Sequence, residues 1–298
     1  MAAAAGYHGG MILLLTYLGL VVALALAVGL LHLIPRLGGG GRLADALAHA
    51  PLLDVVVAKL TLGPWVVALV VAALVHDGLG WALLYLLTAI LAQYTVLVGW
   101  CRLHELAHRE VLGGPRMVKS LNRAVGPWRN YLAVYWTALA VPLFNAIRLV
   151  EYVVYPPLTR LIGLPRYRDR DWVNVSRHKF EGLVGGDRVW CLYCDWMTGV
   201  WSLGSEMLRN IESFWCPIRF RSDLKCENCK LDFPDVEGQW VPADADVTAA
   251  AAKLDQMYPG PDGINGWFGH PSRITVEGQP QTETEIDAET DTEKSDLL

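Results

Sequence analysis

The first 35 residues of the sequence contain no charged side chain, and the chain of 298 residues is only 18% charged against 53% hydrophobic. So few charges exclude an ordinary pair of soluble domains. The absence of a basic N-terminal region argues against a cleaved signal peptide. Because the apolar run over residues 11–34 is long enough to cross a bilayer as a helix, we predict a retained membrane anchor.

Positive charge is not in excess either, since the formal net charge is -5. This balance gives no indication of nucleic-acid binding, and we expect no nucleic-acid partner. The acidic residues are concentrated at the C-terminus, where the segment from Glu277 to Leu298 carries eight acids and one lysine. With so little apolar surface to bury, this segment is predicted to be a disordered tail.

Two further apolar stretches, residues 52–75 and 79–100, are long enough to span a membrane. Gly63-Pro64 interrupts the first of them, which predicts a kinked or tilted helix. The stretch 131–164 is broken by prolines and charged residues, so we favour an amphipathic or re-entrant segment over a fourth crossing. The sequence thus predicts a mainly α integral membrane bundle with three transmembrane helices, or four if residues 131–164 also cross.

Six basic residues lie between Arg102 and Arg129, directly after the third span. Since short loops rich in Lys and Arg stay in the cytoplasm, the C-terminal half is expected to be cytoplasmic and the N-terminus external. The expected location is the bacterial inner membrane, with membrane lipid as the first partner. We predict four regions: a transmembrane region with a histidine box (1–129), an amphipathic or re-entrant segment (130–170), a Cys-rich metal-binding domain (171–245), and a loop with the acidic tail (246–298).

Five of the six cysteines fall within 39 positions, and two pairs have C-x-x-C spacing. Such a pair forms a tight knuckle that presents two thiolates to one metal ion, so we predict a small soluble zinc domain with a helix over Asp195–Phe214 between the pairs. An iron-sulfur cluster, a redox pair at the start of a helix, and cysteines without metal are the alternatives. The candidate ligands are Cys191, Cys194, Cys216, Cys226 and Cys229.

The sequences DRVWCLYC and IESFWCPIR, within residues 177–221, resemble a group of uncharacterised bacterial proteins. That group shares a C-x-Y-C helix followed by F/Y-W-C-P-I-K/R. The resemblance implies that Cys191, Cys194 and Cys216 act together, with Arg219 as the basic residue after the third cysteine. It implies no activity. The function we expect first is therefore a membrane-anchored metal-binding protein whose cytoplasmic domain is structural or binds a protein partner.

A second motif, His104-Glu105-Leu-Ala-His108, follows the third span. Histidines four apart on a helix face the same way and can share a metal, and Glu105 would then be a general base, as in H-E-x-x-H peptidases. A third ligand is not evident from the sequence. The non-functional interpretation is a polar patch at the membrane interface, paired with Arg102 and Arg109.

The same residues, with Ser120-Leu-Asn-Arg123 downstream, resemble the first histidine box of membrane fatty-acid desaturases and hydroxylases. That resemblance implies a di-iron site held by about eight histidines and an activity on a lipid chain, with His104, Glu105 and His108 as catalytic residues. The chain has eight histidines in all and no H-x-x-H-H motif. Carboxylates would have to replace the missing ligands, and the candidates are Glu105, Glu110 and Glu181. Whether the protein is an enzyme stays open on the sequence alone.

Overall fold

A computed structural model describes residues 2–37, 40–114, 116–216, 218, 241, 245–257 and 276–277. The chain divides into two compact units, the first comprising residues 1–149 and 172–202 and the second comprising residues 150–171 and 203–298. Most of the described residues are helical. In chain order the helices are α1 (Ala2–Leu33), α2 (Gly40–Leu47), α3 (Leu52–Thr61), α4 (Gly63–Val75), α5 (Leu79–Ala107), α6 (Met117–Val125), α7 (Pro127–Thr137), α8 (Val141–Val153), α9 (Tyr155–Leu161), α10 (Asp169–Trp172), α11 (Gly185–Trp215) and α12 (Val247–Met257).

Three helical segments are long and apolar enough to cross a membrane, namely Gly9–Arg36, Leu79–Ala107 and Pro127–Leu161. The pair α3 and α4 would add a fourth if it forms one broken span, and its two halves are bent by 49°. The chain is therefore compatible with a helical membrane protein, as the sequence predicts. The predicted amphipathic segment is itself continuous enough and apolar enough to count among the spans.

The core of the first unit is formed where α1, α4 and α5 pack together. Its buried residues include Tyr85 and four alanines, which are Ala68, Ala72, Ala89 and Ala92. Small side chains let helix backbones approach closely, which is how membrane helices associate when lipid offers no hydrophobic driving force. Leucines of the same helices, such as Leu14, Leu26 and Leu74, remain exposed.

The predicted kink in the second apolar stretch forms between Thr61 and Gly63. Pro64 has no N–H to donate to the carbonyl of Leu60, so that carbonyl loses its helical partner. Gln93 on α5 replaces it, because its Nε2 donates to the carbonyl oxygens of Leu60 and Thr61 at 2.7 Å each. Its Oε1 accepts from the indole N–H of Trp65 at 2.7 Å. The side chain of Gln93 therefore stabilises the kink by bonding backbone groups that the proline leaves without a helical partner.

A buried charged cluster joins α3, α8 and α11 within the first unit. Asp54, Arg148 and Trp196 are 7%, 3% and 1% exposed. Arg148 Nε donates to Asp54 Oδ2 at 3.0 Å, and Trp196 Nε1 donates to Asp54 Oδ1 at 2.8 Å. Both oxygens of the carboxylate are thus hydrogen-bonded, as burial of a charge requires.

The second unit contains α9, α10 up to Asp171, the part of α11 after Ser202, α12, and a two-residue antiparallel pairing of Arg166–Tyr167 (β1) with Val276–Glu277 (β2). Asn210, fully buried, donates from Nδ2 to the hydroxyl of Tyr167 at 2.6 Å. Helix α12 lies where the sequence analysis predicts a loop. An alanine-rich sequence favours the helix, and the carboxylate of Asp246 caps it by accepting from the N–H of Ala249 at 3.0 Å. The other described residues of region 246–298 are the two of β2, and the rest of the predicted disordered tail lies outside the described residues.

Candidate functional site

The C-terminal ends of α1 and α5 bring three histidines together. His32 lies near the end of α1, His104 lies in the last turn of α5, and His108 follows directly after α5. One ring nitrogen from each of the three lies within 4.8 Å of the others. In the part of the chain that the structure describes, this is the one set of three or more metal-ligating side chains whose donor atoms converge.

The histidine rings pack against one another and against Trp100. The ring centroids of His104 and His108 are 4.5 Å apart, those of His32 and His104 are 5.2 Å apart, and Trp100 lies 4.7 Å from His104. His104 is buried, whereas His32 and His108 are half-buried. The cluster therefore has one fixed member and two members that reach solvent.

The N-terminus of α11 is fixed against this cluster. The backbone N–H of Gly185 donates to His104 Nδ1 at 3.3 Å, so the ring proton of a neutral His104 is on Nε2. Gly185 has a φ of +54°, a conformation that side chains disfavour, and a Cβ there would approach Oε1 of Glu105 to 2.6 Å. Glycine at this position therefore favours the close approach of α11 to α5.

The carboxylate of Glu105 pairs with two arginines. Its Oε1 accepts from Arg116 Nη2 at 3.0 Å, and its Oε2 lies 3.5 Å from Arg102 Nη1. Arg116 also bonds Asp187 Oδ2 through Nε at 3.3 Å, which fastens the first turn of α11 to the segment after α5. Burial lowers the pKa of Arg116, but its hydrogen bonds to the carboxylates of Glu105 and Asp187, together with their negative charges, outweigh burial and raise it overall. This geometry favours a positioning role for Glu105 over the general-base role of a peptidase.

A cavity of about 220 Å³ opens beside the three histidines. Arg36, directly after α1, and Arg188, in the first turn of α11, line it together with apolar residues such as Phe180 and Leu183. None of the ten described residues that line the cavity is acidic. Burial lowers the pKa of Arg188, and the positive charge of Arg36 lowers it further, so the two guanidinium groups repel each other across this space.

The first cysteine pair does not form the predicted knuckle. Cys191 and Cys194 lie within α11, which begins six residues before Cys191 and includes the helix predicted over Asp195–Phe214. An i, i+3 pair still places both thiols on one helix face. The redox alternative loses its physical basis, because Cys191 is beyond the first turn, where a helix lowers a thiol pKa, and burial raises its pKa instead.

None of the remaining predicted site residues that the structure describes belongs to the set of converging donor atoms. Cys216 is an exposed free thiol that follows α11. Glu110 lies 3.5 Å from Nδ1 of His108 and is largely exposed, and Glu181 is exposed as well. Outside the described residues lie Cys226, Cys229, Arg219 and His270, and the side chain of His178 is not described either. The zinc site built on cysteines therefore stays a prediction.

Sequence reasoning identified His104 and His108 but missed His32. Its signal was weak: one histidine at the end of an uncharged span, one turn before Arg36. A histidine in that place is typical of a membrane interface, and a partner 72 positions later in the chain is not readable from spacing. In comparisons with protein-family models, curated proteins and solved structures, no match to this chain was found.

Proposed function

We propose that this chain is an integral membrane metalloprotein that binds one divalent metal ion, zinc, through His32, His104 and His108. The observation that carries the proposal is the convergence of three imidazoles within 4.8 Å at the joined ends of two apolar helices. Three histidine ligands with a fourth position open to a cavity is the ligand arrangement of catalytic zinc sites.

The side chains fit a metal with small adjustments. Ligand nitrogens about 2.0–2.1 Å from zinc in a tetrahedron are about 3.3 Å apart, so the histidines need to close by at most about 1.5 Å. Binding through Nδ1 of His104 displaces the N–H of Gly185, and binding through Nε2 requires the ring proton to move. Either change costs about one hydrogen bond, roughly 1 kcal/mol, which is small beside the about 10–16 kcal/mol that binding of structural zinc contributes in zinc-finger peptides.

A mononuclear site agrees better with this geometry than the di-iron alternative does. A second metal would need several more ligands. Glu105 already accepts hydrogen bonds from Arg116 and Arg102, and Glu110, 3.5 Å from Nδ1 of His108, offers one largely exposed carboxylate. Zinc in this position would supply a Lewis acid for a ligand entering the cavity. The chain's own contribution is to hold the three rings together, through the packing of Trp100 and the approach of Gly185.

We further propose that the chain crosses the membrane three times, through α1, through α3 together with α4, and through α5. Residues 127–161 would then lie at the membrane interface, steeply tilted away from the membrane normal. The hydroxyl of Tyr135 bonds that of Tyr94 on α5. Asn145 bonds Thr61, and Thr61 is itself bonded to Gln93, the residue before Tyr94. Tyr135 and Asn145, which are ten residues apart, thus contact the bundle at the same depth in the membrane. In a helix perpendicular to the membrane plane, they would differ in depth by about 15 Å. This geometry supports the tilted arrangement.

The side of the membrane follows from the basic residues near the histidine site. The bundle places Arg36 at the same end as the basic segment from Arg102 to Arg129, which supports a cytoplasmic location for this end, in the bacterial inner membrane. Reporter fusions after Leu112 and after Asp77 should give cytoplasmic and external signals respectively. The reverse pattern would contradict the orientation without affecting the metal site.

Elemental analysis of the detergent-purified protein tests the proposed function. The double variant His104→Ala/His108→Ala should contain one metal ion fewer per chain than wild type, whereas Cys191→Ser/Cys194→Ser should keep that ion. Equal metal content in wild type and the histidine variant would overturn the proposal. An ion lost with the cysteines would instead support the predicted cysteine site, and iron in place of zinc would revive the desaturase-like hypothesis.

A further inference from the structure

We infer that α6 lies in the headgroup layer of the membrane and binds anionic phospholipids there. The inference rests on the proposed membrane crossing of α5, and it does not depend on a metal at the histidine site. None of the segments that are long and apolar enough to cross a membrane includes α6, which has nine residues. A short helix with one apolar side and one basic side suits the membrane surface.

The first argument is the depth at which α6 begins. Arg116, the residue before α6, donates from Nη2 to Oε1 of Glu105 at 3.0 Å, and Glu105 lies in the last turn of α5. The start of α6 is therefore at the level where this span ends. The N–H of Val118 donates to Oδ1 of Asp187 at 3.3 Å, and Arg116 bonds the same carboxylate. These contacts fix the first turn of α6 at the end of the bundle.

The second argument is that the apolar side of α6 is left uncovered. Met117, Leu121 and Val125 follow one another at intervals of four residues and are 44%, 52% and 50% exposed. On another side of the helix, Asn122 accepts a hydrogen bond from Nδ2 of Asn130 on α7 at 2.8 Å. Turning the apolar side of α6 towards the bundle would break this bond and those of the first turn. At the end of a span, the surface that covers such a side is the lipid.

The third argument is the charge of this part of the chain. Residues 111–150 include five basic residues and no acid. Lys119 and Arg123 are exposed, and their spacing places both on the side of α6 opposite its apolar side. Neither forms an ion pair with a residue that the structure describes. Long basic side chains reach the phosphate layer from a surface helix, and anionic headgroups attract them. An anionic leaflet therefore matches both sides of α6.

The test is hydrogen exchange, measured by mass spectrometry, of the full chain in lipid nanodiscs. One kind of disc contains phosphatidylcholine alone, and the other contains phosphatidylcholine mixed with phosphatidylglycerol. The amides of a short surface helix exchange through local opening, and opening of α6 lifts its side chains from the lipid. Exchange at residues 117–125 therefore reports the contact of α6 with lipid, and exchange in α12 of the same samples is the internal reference.

Wild-type α6 should exchange at least about fivefold more slowly in the mixed discs, the factor expected for one basic residue at an anionic surface. High salt should remove most of this difference, because it screens exposed charges. Lys119→Gln/Arg123→Gln should exchange at the same rate in both kinds of disc. The matched control is Arg42→Gln/Arg109→Gln, which removes two exposed cations that follow α1 and α5, and it should keep the wild-type difference.

Leu121→Gln tests the apolar side. It should speed exchange of α6 severalfold in both kinds of disc, because a polar amide replaces a side chain that lipid covers. Ser120→Gln, at an exposed position outside the apolar side, should not speed it. Helix content by circular dichroism checks that each variant is folded.

Equal exchange of wild-type α6 in both kinds of disc would overturn the inference, because a surface covered by another protein or by another part of the chain does not respond to lipid charge. An equal slowing of α12, or loss of the difference in the control variant, would overturn it as well. Metal content is measured for every sample. Protein without metal that keeps the lipid dependence contradicts the proposed metal site alone, and protein with metal that lacks it contradicts this inference alone.

Discussion

Two polar regions of the first unit differ in how far they are closed to solvent. Around Asp54, the guanidinium of Arg148 and the indole of Trp196 bond both carboxylate oxygens, and all three side chains are buried. Around the histidine cavity, three imidazoles converge, and two of them, His32 and His108, are only half-buried. The first region is a closed set of hydrogen-bonded charges, whereas the second opens onto a cavity.

This difference separates a role in stability from a role in binding. A buried ion pair contributes chiefly because either partner alone is costly, so its loss is measured as unfolding. A set of converging imidazoles beside a cavity stabilises the folded chain only through the ion that it would bind. Substitutions in the first region should therefore change stability strongly, whereas substitutions in the second should change metal affinity.

Arg148→Ala should produce the largest change in stability. It leaves the buried Asp54 carboxylate without its cation, which costs about 3–5 kcal/mol, and thermal unfolding in detergent should show it. Arg129→Ala, at an exposed position, is the control and should change stability by less than about 0.5 kcal/mol. Replacing both partners with apolar residues, Asp54→Leu with Arg148→Met, should recover most of the loss. A mild effect of Arg148→Ala would mean that the pair is dispensable.

His32→Ala should mainly change metal affinity. It removes one of three proposed ligands, so zinc affinity should fall at least about 100-fold, equivalent to about 2.7 kcal/mol of binding free energy. His76→Ala is the matched control, because His76 also lies at a helix end and stacks on Trp81 with a centroid distance of 3.8 Å. Competition with a fluorescent chelator measures both. Equal zinc affinity in the two variants would remove His32 from the site.

The sequence predicted the elements of this comparison better than their contacts. Apolar length predicted the helices, the Gly63-Pro64 break predicted the kink, and H-E-x-x-H indicated two of the three histidines. Each of these is local, since it depends on residues within a few turns of one another. That Arg148 would bond Asp54, or that His32 would meet His104, depends on helix packing and has no signature in spacing.

At the first cysteine pair, a local sequence pattern predicted a local structure that the fold does not contain. C-x-x-C spacing predicts a knuckle when the surrounding sequence permits a turn. Here Cys191-Leu-Tyr-Cys194 lies within α11 and is followed by Asp195 and Trp196, whose side chains bond Ser176 and Asp54 respectively. Asp195 accepts hydrogen bonds from the backbone N–H groups of Ser176 and Arg177 at 2.6 and 3.0 Å. Tertiary contacts along α11 therefore determine the local structure here, and the spacing of the two cysteines does not.

Gly185→Ala should weaken the packing of the start of α11 against α5, with a smaller loss of stability than Arg148→Ala. The methyl group meets Oε1 of Glu105, and the positive φ disfavours alanine, so we expect a loss of about 2–3 kcal/mol in unfolding free energy. Gly186→Ala is the control, because a Cβ there meets no atom within 4 Å. It should leave stability unchanged or raise it by up to about 1 kcal/mol, since alanine favours helix more than glycine. Equal effects at both positions would contradict the close approach.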